Sequence, residues 1–391
     1  MPSVLLAVAA LSLLIWLYLA IFHGRFWRAD QRLKADPPDR QSWPAVVAVI
    51  PARNEAAVVG IAIRSLLGQD YPGPLHLVLV DDRSSDGTGR LAREAGARLR
   101  GGKALTIVTG ERLAEGWSGK TWALHQGVRA AKQISPNAEY FLLVDADIEH
   151  EPRALRQLVA KAEDERCDLV SLMVMLHCED LIERFLIPAF VYFFQQLYPF
   201  PESNKHGSDV AAAAGGCMLV RRTALDRAGG FESIRGELID DCALARRIKA
   251  TGSIWIGLTE KTRSVRPYNG VGDVWDMVAR TAYTQLGQSL SRLVGAVIGM
   301  ALTYLAPPVL VVVGLVTGAG QIAAMGALAW IIMVVTYAPT LRLYGQPAVA
   351  GFALPAVAVL YTLMTIDSAK QHWQGRGGAW KGRTYSGLEG R

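Results

Sequence analysis

The sequence lacks the short motifs that mark several large enzyme classes. Its four cysteines are scattered without a Cys-x-x-Cys pair, which argues against a zinc site and fits a reducing compartment. No Gly-x-Gly-x-x-Gly follows the first predicted strand, and no Gly-x-x-x-x-Gly-Lys-Ser/Thr occurs anywhere in the chain. A dinucleotide-dependent dehydrogenase and a P-loop enzyme are therefore disfavoured.

Charge is absent from a stretch near the N-terminus. Residues 3–22 are uncharged over 20 positions, and as a helix they would be about 30 Å long, the thickness of a bilayer core. A cleaved signal peptide is the alternative, but no basic segment precedes this stretch and no Ala-x-Ala site follows it. We therefore expect an uncleaved membrane anchor over residues 1–24.

Charge is also absent from a longer region near the C-terminus. The 49 residues between Arg292 and Arg342 carry none, and residues 343–366 add 24 more. A Thr-Gly-Ala-Gly break at 317–320 divides the first run, so we expect three membrane helices within residues 292–367. Pro307 and Pro308 should kink the first of them, a defect that neighbouring helices can satisfy.

The flanking basic residues predict how the chain sits in a bacterial inner membrane. Basic residues follow the anchor within a linker over residues 25–44, and the positive-inside rule places them and the central region in the cytoplasm. Three further crossings would put the basic tail, residues 368–391, outside, which leaves open whether one segment is re-entrant or interfacial. The formal charge of +6 suggests contact with anionic lipid headgroups or ordinary topogenic charge, and not nucleic acid.

The central region alternates apolar runs with polar loops. Residues 45–50, 76–80, 140–144 and 168–175 predict buried strands, and a helix of about 14 residues is expected directly after the first. Strand, loop and helix in repetition indicate an α/β fold with a mixed, mainly parallel sheet flanked by helices. Ligands of such sheets bind beyond the carboxyl ends of the strands.

Two carboxylates, Asp145 and Asp147, follow the third of these runs. At strand periodicity they point to the same side and could converge on Mg²⁺ or Mn²⁺, ions that prefer oxygen ligands and often bind substrate phosphates as well. The alternative is that Asp-x-Asp only caps a helix that begins near Pro152.

Other polar groups lie on the same predicted edge of the sheet. Asp81 and Asp82 could accept hydrogen bonds from a ribose hydroxyl or a pyrimidine N–H, or could simply form a turn before a helix. Lys120, beside two glycines, could meet diphosphate oxygens, or could be a surface lysine. Gly215 and Gly216 suit a place where the backbone approaches a sugar, or close packing of strands.

A second acidic pair, Asp240 and Asp241, begins a predicted helix. As N-cap residues they would stabilise that helix by about 1 kcal/mol. The functional alternative makes one of them a general base that takes a proton from an attacking hydroxyl.

These motifs come in the order and spacing of the family 2 glycosyltransferases. Residues 51–55, 80–82, 85–88, 145–147, 215–216 and 240–241 together resemble the nucleotide-sugar-binding GT-A domain of that family, over residues 45–265. More narrowly, residues 25–30, 147–150, 186–190, 197–200 and 301–308 look like the hopene-associated glycosyltransferases of bacterial hopanoid gene clusters, over nearly the whole chain. An interfacial, acceptor-side helix is then expected at residues 266–291.

The resemblance implies roles for the matching residues. Asp81 or Asp82 would hold the nucleotide, Asp145 and Asp147 the metal and diphosphate, and Asp241 would be the base. The first acid of this pair is Asp240 where the family has Glu, so either acid could reach the acceptor. The implied donor site also includes Pro51, Arg53, Glu55, Lys120, Gly215 and Gly216.

The family's processive members carry Gln-x-x-Arg-Trp after the base. This chain has Met-Val-Ala-Arg-Thr at 277–281 and keeps only Arg280, which we expect to assist the departing diphosphate. Without the tryptophan a growing glycan loses a stacking surface, so we expect one sugar to pass from a nucleotide-diphosphate sugar to a lipid hydroxyl, with inversion. The alternatives are a sugar-nucleotide-binding membrane scaffold without catalysis and a processive polysaccharide synthase.

Overall fold

The computed structural model describes residues 2–33, 40–97 and 104–378. The Pro-containing part of the predicted linker and the end of the basic tail lie outside these residues. Contacts divide the chain into two compact units. The helical unit comprises Met1–Ala29, Cys178–Pro201 and Tyr268–Gly378, and the sheet unit comprises Asp30–His177 and Glu202–Pro267.

The strands are β1 (Val46–Ala52), β2 (Leu75–Asp81), β3 (Ala104–Thr109), β4 (Tyr140–Val144), β5 (Ile148–His150), β6 (Leu169–Met175), β7 (Cys217–Arg221) and β8 (Ile254–Ser264). The α-helices are α1 (Pro2–Ile21), α2 (Val59–Leu67), α3 (Thr88–Ala97), α4 (Gly119–Ile134), α5 (Ala154–Asp164), α6 (Leu181–Leu197), α7 (Phe200–Ser203), α8 (Arg222–Arg227), α9 (Asp240–Lys249), α10 (Val271–Ala279), α11 (Ala282–Gln285), α12 (Leu290–Met300), α13 (Ala306–Val316), α14 (Gly320–Leu343) and α15 (Leu354–Trp373). Short 3₁₀ helices occupy Phe26–Arg28, Phe231–Ile234 and Ala348–Ala353.

The sheet unit is built on one eight-stranded mixed sheet. Its strand order is β3-β2-β1-β4-β7-β6-β8-β5. Strands β3, β2, β1 and β4 are parallel to one another, whereas β7 runs antiparallel to β4 and β6. The predicted α/β fold with a mixed, mainly parallel sheet is confirmed.

Strand β1 is buried on both faces, which explains its continuous apolar sequence. Ile50 packs in the core on one face of the sheet, and Val49 packs in the core on the other. Burying a side chain of this size stabilises the fold by roughly 1.5–3 kcal/mol. Helix α4 covers the Val49 face closely, since a Cβ at Gly127 would lie 2.4 Å from Cγ1 of Val49.

The first helix of the sheet unit differs from its prediction. Pro51 and Ala52 continue β1, where they pair with Val80 and Asp81, and helix α2 begins only at Val59 and has 9 residues. The expected helix of about 14 residues directly after the strand is wrong. The intervening loop contains Asn54 in the left-handed region, with φ of 52°, a conformation that interrupts a helix.

The helical unit contains four helices long and apolar enough to cross a membrane. They span Ser3–Ile21, Leu290–Val316, Gly320–Leu343 and Ala348–Trp373. One N-terminal and three C-terminal segments are thereby confirmed, with the break at 317–320 between the second and third.

The second span departs from regular α-helix ahead of its two prolines. Residues Ala301–Leu305 are π-helical, and α13 follows with proline in its first turn. Two carbonyls of this irregular stretch are satisfied by α1: Leu302 O accepts from Ser12 Oγ at 2.9 Å and Thr303 O from Trp16 Nε1 at 2.6 Å. The N-terminal helix is therefore packed as an integral part of the unit.

The aromatic segment at residues 185–194 lies in α6 of the helical unit. Tyr192 is fully buried, and its hydroxyl lies 2.9 Å from Oγ1 of Thr336 on α14. Tyr361 on α15 donates from its hydroxyl to the carbonyl of Leu186 at 2.9 Å. These contacts pack the segment into the core of the helical unit.

Candidate functional site

The site lies where β1, β2 and β4 end, at one edge of the sheet unit. Its centre is Lys120, in the first turn of α4, a helix whose N-cap is Ser118. The Lys120 ammonium lies 2.7 Å from Oδ1 of Asp145, which directly follows β4. A Cβ at Gly215 would lie 3.0 Å from Nζ of Lys120 and 3.2 Å from Oδ2 of Asp241. The structure thus brings four of the predicted residues into one cluster.

The loop that carries Lys120 is tied to the segment that leads into the acidic pair. The carbonyl of Arg235 accepts hydrogen bonds from the Ser118 N–H and the Thr121 hydroxyl, each at 2.8 Å. Thr121 is fully buried. These bonds fix the start of α4 relative to the start of α9.

The acidic pair occupies the first two positions of α9, after the N-cap residue Ile239. The N-cap alternative is therefore wrong, although both carboxylates still favour the helix dipole. Asp241 accepts hydrogen bonds from the Gly215 N–H at 2.8 Å and the Cys242 N–H at 2.7 Å. Asp240 is 9% exposed, and its buried Oδ2 has no hydrogen-bond partner within the described residues.

Crowding of charge perturbs the titration of this cluster. Burial raises the pKa of Asp241 to about 6, with a further contribution from Asp240 and an opposing one from Lys120. Burial also raises the pKa of Asp145, where Lys120 again opposes and Asp147 adds. For Lys120, burial works against the charged form, but Asp145, Asp240 and Asp241 outweigh it and raise the pKa. The cluster holds a protonated lysine among three carboxyl groups.

Asp145 and Asp147 lie in a turn after β4 and not in the strand, so the expectation that strand periodicity points both to the same side is wrong. The Asp145 N–H donates to the Gly216 carbonyl at 3.3 Å, and the Asp147 carbonyl accepts from the Val265 N–H at 2.9 Å. Strand β5 separates the turn from α5, whose N-cap is Arg153. The alternative that Asp-x-Asp caps this helix is therefore wrong.

Asp147 pairs with a basic residue, Arg266, that no sequence motif indicates. Oδ2 of Asp147 accepts from the Ser264 hydroxyl at 2.8 Å and from Nε of Arg266 at 3.2 Å. A terminal nitrogen of the same guanidinium donates to Glu55, which is 8% exposed. The only sequence signal for Arg266 is a basic residue just beyond the end of a strand.

The loops after β1 and β2 interlock. The Glu55 N–H donates to Oγ1 of Thr88 at 2.8 Å, and the Asn54 side chain accepts from the Ser85 N–H at 2.9 Å. The Ala56 N–H donates to Oδ2 of Asp86 at 2.9 Å. The predicted nucleotide-side residues therefore share one rigid frame.

Within this frame the two candidate aspartates differ in exposure. Asp82 is fully buried, with Arg53 donating to its carbonyl at 2.7 Å and lying 3.8 Å from its Oδ2. Asp81 is partly exposed and accepts from the Ser84 N–H at 3.0 Å. Asp81 is thus the aspartate that can reach a ligand without rearrangement. Pro51 lies buried inside β1 and contributes backbone pairing.

The two glycines have different surroundings. Gly215 adjoins the charged cluster, whereas a Cβ at Gly216 would lie 3.1 Å from Cγ2 of Val174 on β6. Close strand packing therefore explains Gly216. Arg280 follows α10 in the helical unit and is not one of the groups that the sheet unit gathers.

Among the described residues, no group of three or more His, Cys, Asp or Glu side chains has the geometry of a metal site. A metal at Asp145 and Asp147 would need further ligands from substrate or water, as is usual for Mg²⁺.

Comparison with known proteins identifies the fold and the family. The model of Glycosyl transferase family 2 matches residues 47–229, and that of Glycosyl transferase family group 2 matches residues 140–365, more than half of the chain. Among solved structures, a mannosyltransferase from Pyrobaculum calidifontis in complex with GDP-Man and Mn²⁺ superposes with a TM-score of 0.57, at 20% identity over 94% of this chain and 99% of that one. This likeness shows a GT-A-type fold.

Curated relatives are similar over a shorter stretch. The chain is 35% identical over 101 residues to a 4,4'-diaponeurosporenoate glycosyltransferase of Staphylococcus aureus strain RF122, and 33% identical over 105 residues to that of strain USA300. These matches cover 26% and 27% of this chain, and 23% and 24% of the relatives. The similarity thus spans about a quarter of the relatives' length. On the match over more than half its length, the chain belongs to glycosyl transferase family group 2.

Proposed function

We propose that this protein is a membrane-bound inverting glycosyltransferase that moves one sugar from a nucleotide-diphosphate sugar to a lipid hydroxyl. The observation that carries this proposal is the cluster of Lys120, Asp145, Gly215 and Asp241 at the strand ends of a family 2 chain. Four membrane-length helices support a lipid acceptor, as do the Staphylococcus relatives, whose named substrate is lipid-related. The resemblance to hopene-associated enzymes favours a hopanoid-related lipid.

The donor is proposed to lie along the strand ends. Asp81, at the end of β2, is proposed to accept a hydrogen bond from the nucleoside, and the loop beside it is held by hydrogen bonds of Arg53 and Glu55. Lys120 would turn from Asp145 to the diphosphate, which offers it a larger negative charge. Gly215 leaves room beside this lysine for the sugar, since any side chain there would crowd Nζ.

The residues fit a divalent cation by their chemistry. Asp145 and Asp147 supply hard oxygen ligands, and Asp240, whose buried Oδ2 has no hydrogen-bond partner among the described residues, adds negative charge nearby. We propose that Asp145 and Asp147 hold Mg²⁺ or Mn²⁺ together with the donor diphosphate. When bound, the ion would neutralise charge that develops on the leaving group.

Asp241 is the proposed general base. Its two backbone hydrogen bonds fix the carboxylate, and its raised pKa increases its proton affinity while leaving it mostly ionised at neutral pH. The acceptor oxygen forms a bond to the anomeric carbon, Asp241 takes the hydroxyl proton, and the nucleoside diphosphate leaves with the bonding electron pair. Displacement from the opposite face inverts the anomeric centre. Arg280 is proposed to assist the departing diphosphate.

The membrane arrangement is part of the proposal. Residues 1–24 would anchor the chain, residues 45–265 would form the cytoplasmic catalytic domain, and residues 292–367 would cross the bacterial inner membrane. The segment 266–291 would lie on the acceptor side. Protease accessibility of engineered sites in the sheet unit, in right-side-out and inverted vesicles, tests this orientation.

Transfer assays on purified full-length protein test the activity. Labelled UDP- and GDP-sugars are offered with hydroxylated hopanoids and with bacterial lipid extracts, and products are separated by size. One added sugar with inverted configuration supports the proposal. Long products would indicate a processive synthase, and nucleotide binding without any turnover would indicate a scaffold.

A matched pair of variants connects the activity to the site. Asp241→Asn should abolish transfer, whereas Asp226→Asn, an exposed residue on α8 that pairs with Lys132, should leave it unchanged. Equal transfer by both variants would overturn the assignment of the base.

A further inference from the structure

One basic side chain connects the two loops to which donor binding is assigned. Arg266 lies just beyond β8 and belongs to neither sequence motif. Its Nε donates to Oδ2 of Asp147 at 3.2 Å, and a terminal nitrogen donates to Oε2 of Glu55. Asp147 comes from the turn after β4, and Glu55 comes from the loop after β1. A single guanidinium therefore links two segments that are about 90 residues apart in the sequence.

The carboxylates of Glu55 and Asp147 are poorly accessible to water, so water cannot replace the hydrogen bonds of Arg266. The side chain of Glu55 is 9% exposed and that of Asp147 is 16% exposed, while that of Arg266 is 38% exposed. Hydrogen bonds between charged and poorly solvated groups hold their partners more firmly than exposed ion pairs do.

Backbone contacts hold Arg266 itself in place. The Val265 N–H donates to the Asp147 carbonyl at 2.9 Å, and the Arg266 N–H lies 3.3 Å from the Ser264 hydroxyl, which donates to Asp147. The end of β8 and the Asp145–Asp147 turn thus form one unit. A planar guanidinium held at its base fixes the direction of both carboxylates, which lysine cannot do with a point charge.

We propose that Arg266 is a positioning residue for donor binding: it holds Asp147 in the orientation in which it would bind the donor's diphosphate through a divalent cation, and it keeps the Glu55 loop beside Asp147. This inference rests on the proposed function, because it assigns donor binding to these two loops. Two N–H groups of the side chain contact protein carboxylates, so the others can still reach an anionic ligand. Loss of Arg266 should weaken donor binding more than it slows the chemical step, since Asp241 does not contact it.

The sequence supplies a matched control on the same strand. Arg263 on β8 also pairs with a carboxylate through Nε, Glu149 Oε2 at 2.8 Å, but its side chain is 66% exposed. Arg263→Gln removes the same charge and an equivalent ion pair without touching Asp147 or Glu55. Arg266→Lys keeps the positive charge and removes the planar guanidinium whose N–H groups bind both carboxylates.

Titration calorimetry with UDP and GDP in the presence of Mn²⁺ measures binding without catalysis. Arg266→Gln should raise Kd for the preferred nucleotide about tenfold or more. Arg266→Lys should recover only part of this loss, and Arg263→Gln should stay near wild type. In transfer assays, Arg266→Gln should raise KM for the donor and change kcat less.

Glu55→Gln breaks the same connection from its other end and serves if Arg266→Gln fails to fold. It should raise Kd in the same direction. Binding by Arg266→Gln or Glu55→Gln that equals Arg263→Gln would overturn the inference, as would full recovery by lysine. The two proposals can fail separately. If nucleotide binding depends on Arg266 but no sugar is transferred, only the proposed function is wrong. If sugar transfer occurs and does not depend on Arg266, only this inference is wrong.

Discussion

Replacing Lys120 with methionine should destabilise the sheet unit and alter its response to divalent cations. The Lys120–Asp145 pair is close, at 2.7 Å, with side chains 20% and 35% exposed. Breaking a fully buried pair costs about 3–5 kcal/mol, and a surface pair is worth about 0–1 kcal/mol. For this partly exposed pair we expect a loss of about 1–3 kcal/mol in the free energy of unfolding, because Asp145 keeps some access to water.

Lys132 on the same helix provides the control. Its ammonium lies 2.5 Å from Asp226, but the side chains are 36% and 47% exposed, so Lys132→Met should cost about 0–1 kcal/mol. Denaturant titrations of both variants, followed by far-UV circular dichroism in detergent, measure the difference. Equal destabilisation by the two variants would refute the argument that Lys120 neutralises the cluster.

Lys120→Met should also change the affinity of the site for Mn²⁺, in the opposite direction to its effect on stability. Without Lys120, Asp145 should bind Mn²⁺ more tightly when no nucleotide is present, because the competing ammonium is gone. Millimolar Mn²⁺ should therefore recover part of the lost stability in Lys120→Met and little in Lys132→Met. Nucleoside diphosphate affinity should nevertheless fall, since the proposed phosphate contact is lost. A variant that binds Mn²⁺ no better than wild type would contradict the competition.

Three further outcomes are expected. Asp241→Asn should lower kcat by a factor of roughly 10²–10⁴. Wild-type turnover should fall as the pH drops through about 6, the pKa to which burial raises Asp241, because a protonated carboxyl group cannot take the proton of the acceptor hydroxyl. A flat pH profile would contradict this. Gly215→Ala should reduce transfer strongly, since its Cβ would lie 3.2 Å from the Asp241 carboxylate, whereas Gly207→Ala, with nothing within 4 Å, should be neutral. Trp16→Phe should lower the stability of the helical unit by about 1 kcal/mol, because the hydrogen bond to the Thr303 carbonyl is lost. Thermal unfolding measures this loss, with Tyr18→Phe as the control, since Tyr18 is exposed on the same helix.

The strands that the sequence predicts are those buried on both faces. Strands β1, β2, β4 and β6 consist largely of buried apolar residues, with few polar residues among them. Strand β3 has no fully buried residue, and β8 is continuously buried over its first six residues and alternates between buried and more exposed residues after that. Their mixed character removes the signal, and pairing with neighbouring strands stabilises them instead.

The acidic half of the site is visible in the sequence because carboxylates in short motifs stand out against apolar strands. The basic half is less visible. Lys120 is suggested by its glycine neighbours, but the pairing of Arg266 with Asp147 and Glu55 depends on the return of β8 to the same edge of the sheet. Sequence patterning specifies which residues end a strand, whereas the order of strands decides which ends meet.

The acidic residues of the site are accompanied by two basic residues from other parts of the chain, Lys120 and Arg266. Carboxylates that converge on one edge repel one another, so the fold must supply cations at that edge before any ligand arrives. Lys120 does this for Asp145 from the start of a helix, and Arg266 does it for Asp147 from the end of a strand. Asp240 also attracts the Lys120 ammonium and helps to raise its pKa, although the buried Oδ2 of Asp240 has no hydrogen-bond partner among the described residues. One ammonium shared by three carboxylates leaves net negative charge at this edge, so on the proposed function a nucleoside diphosphate should bind more tightly with a divalent cation than without one.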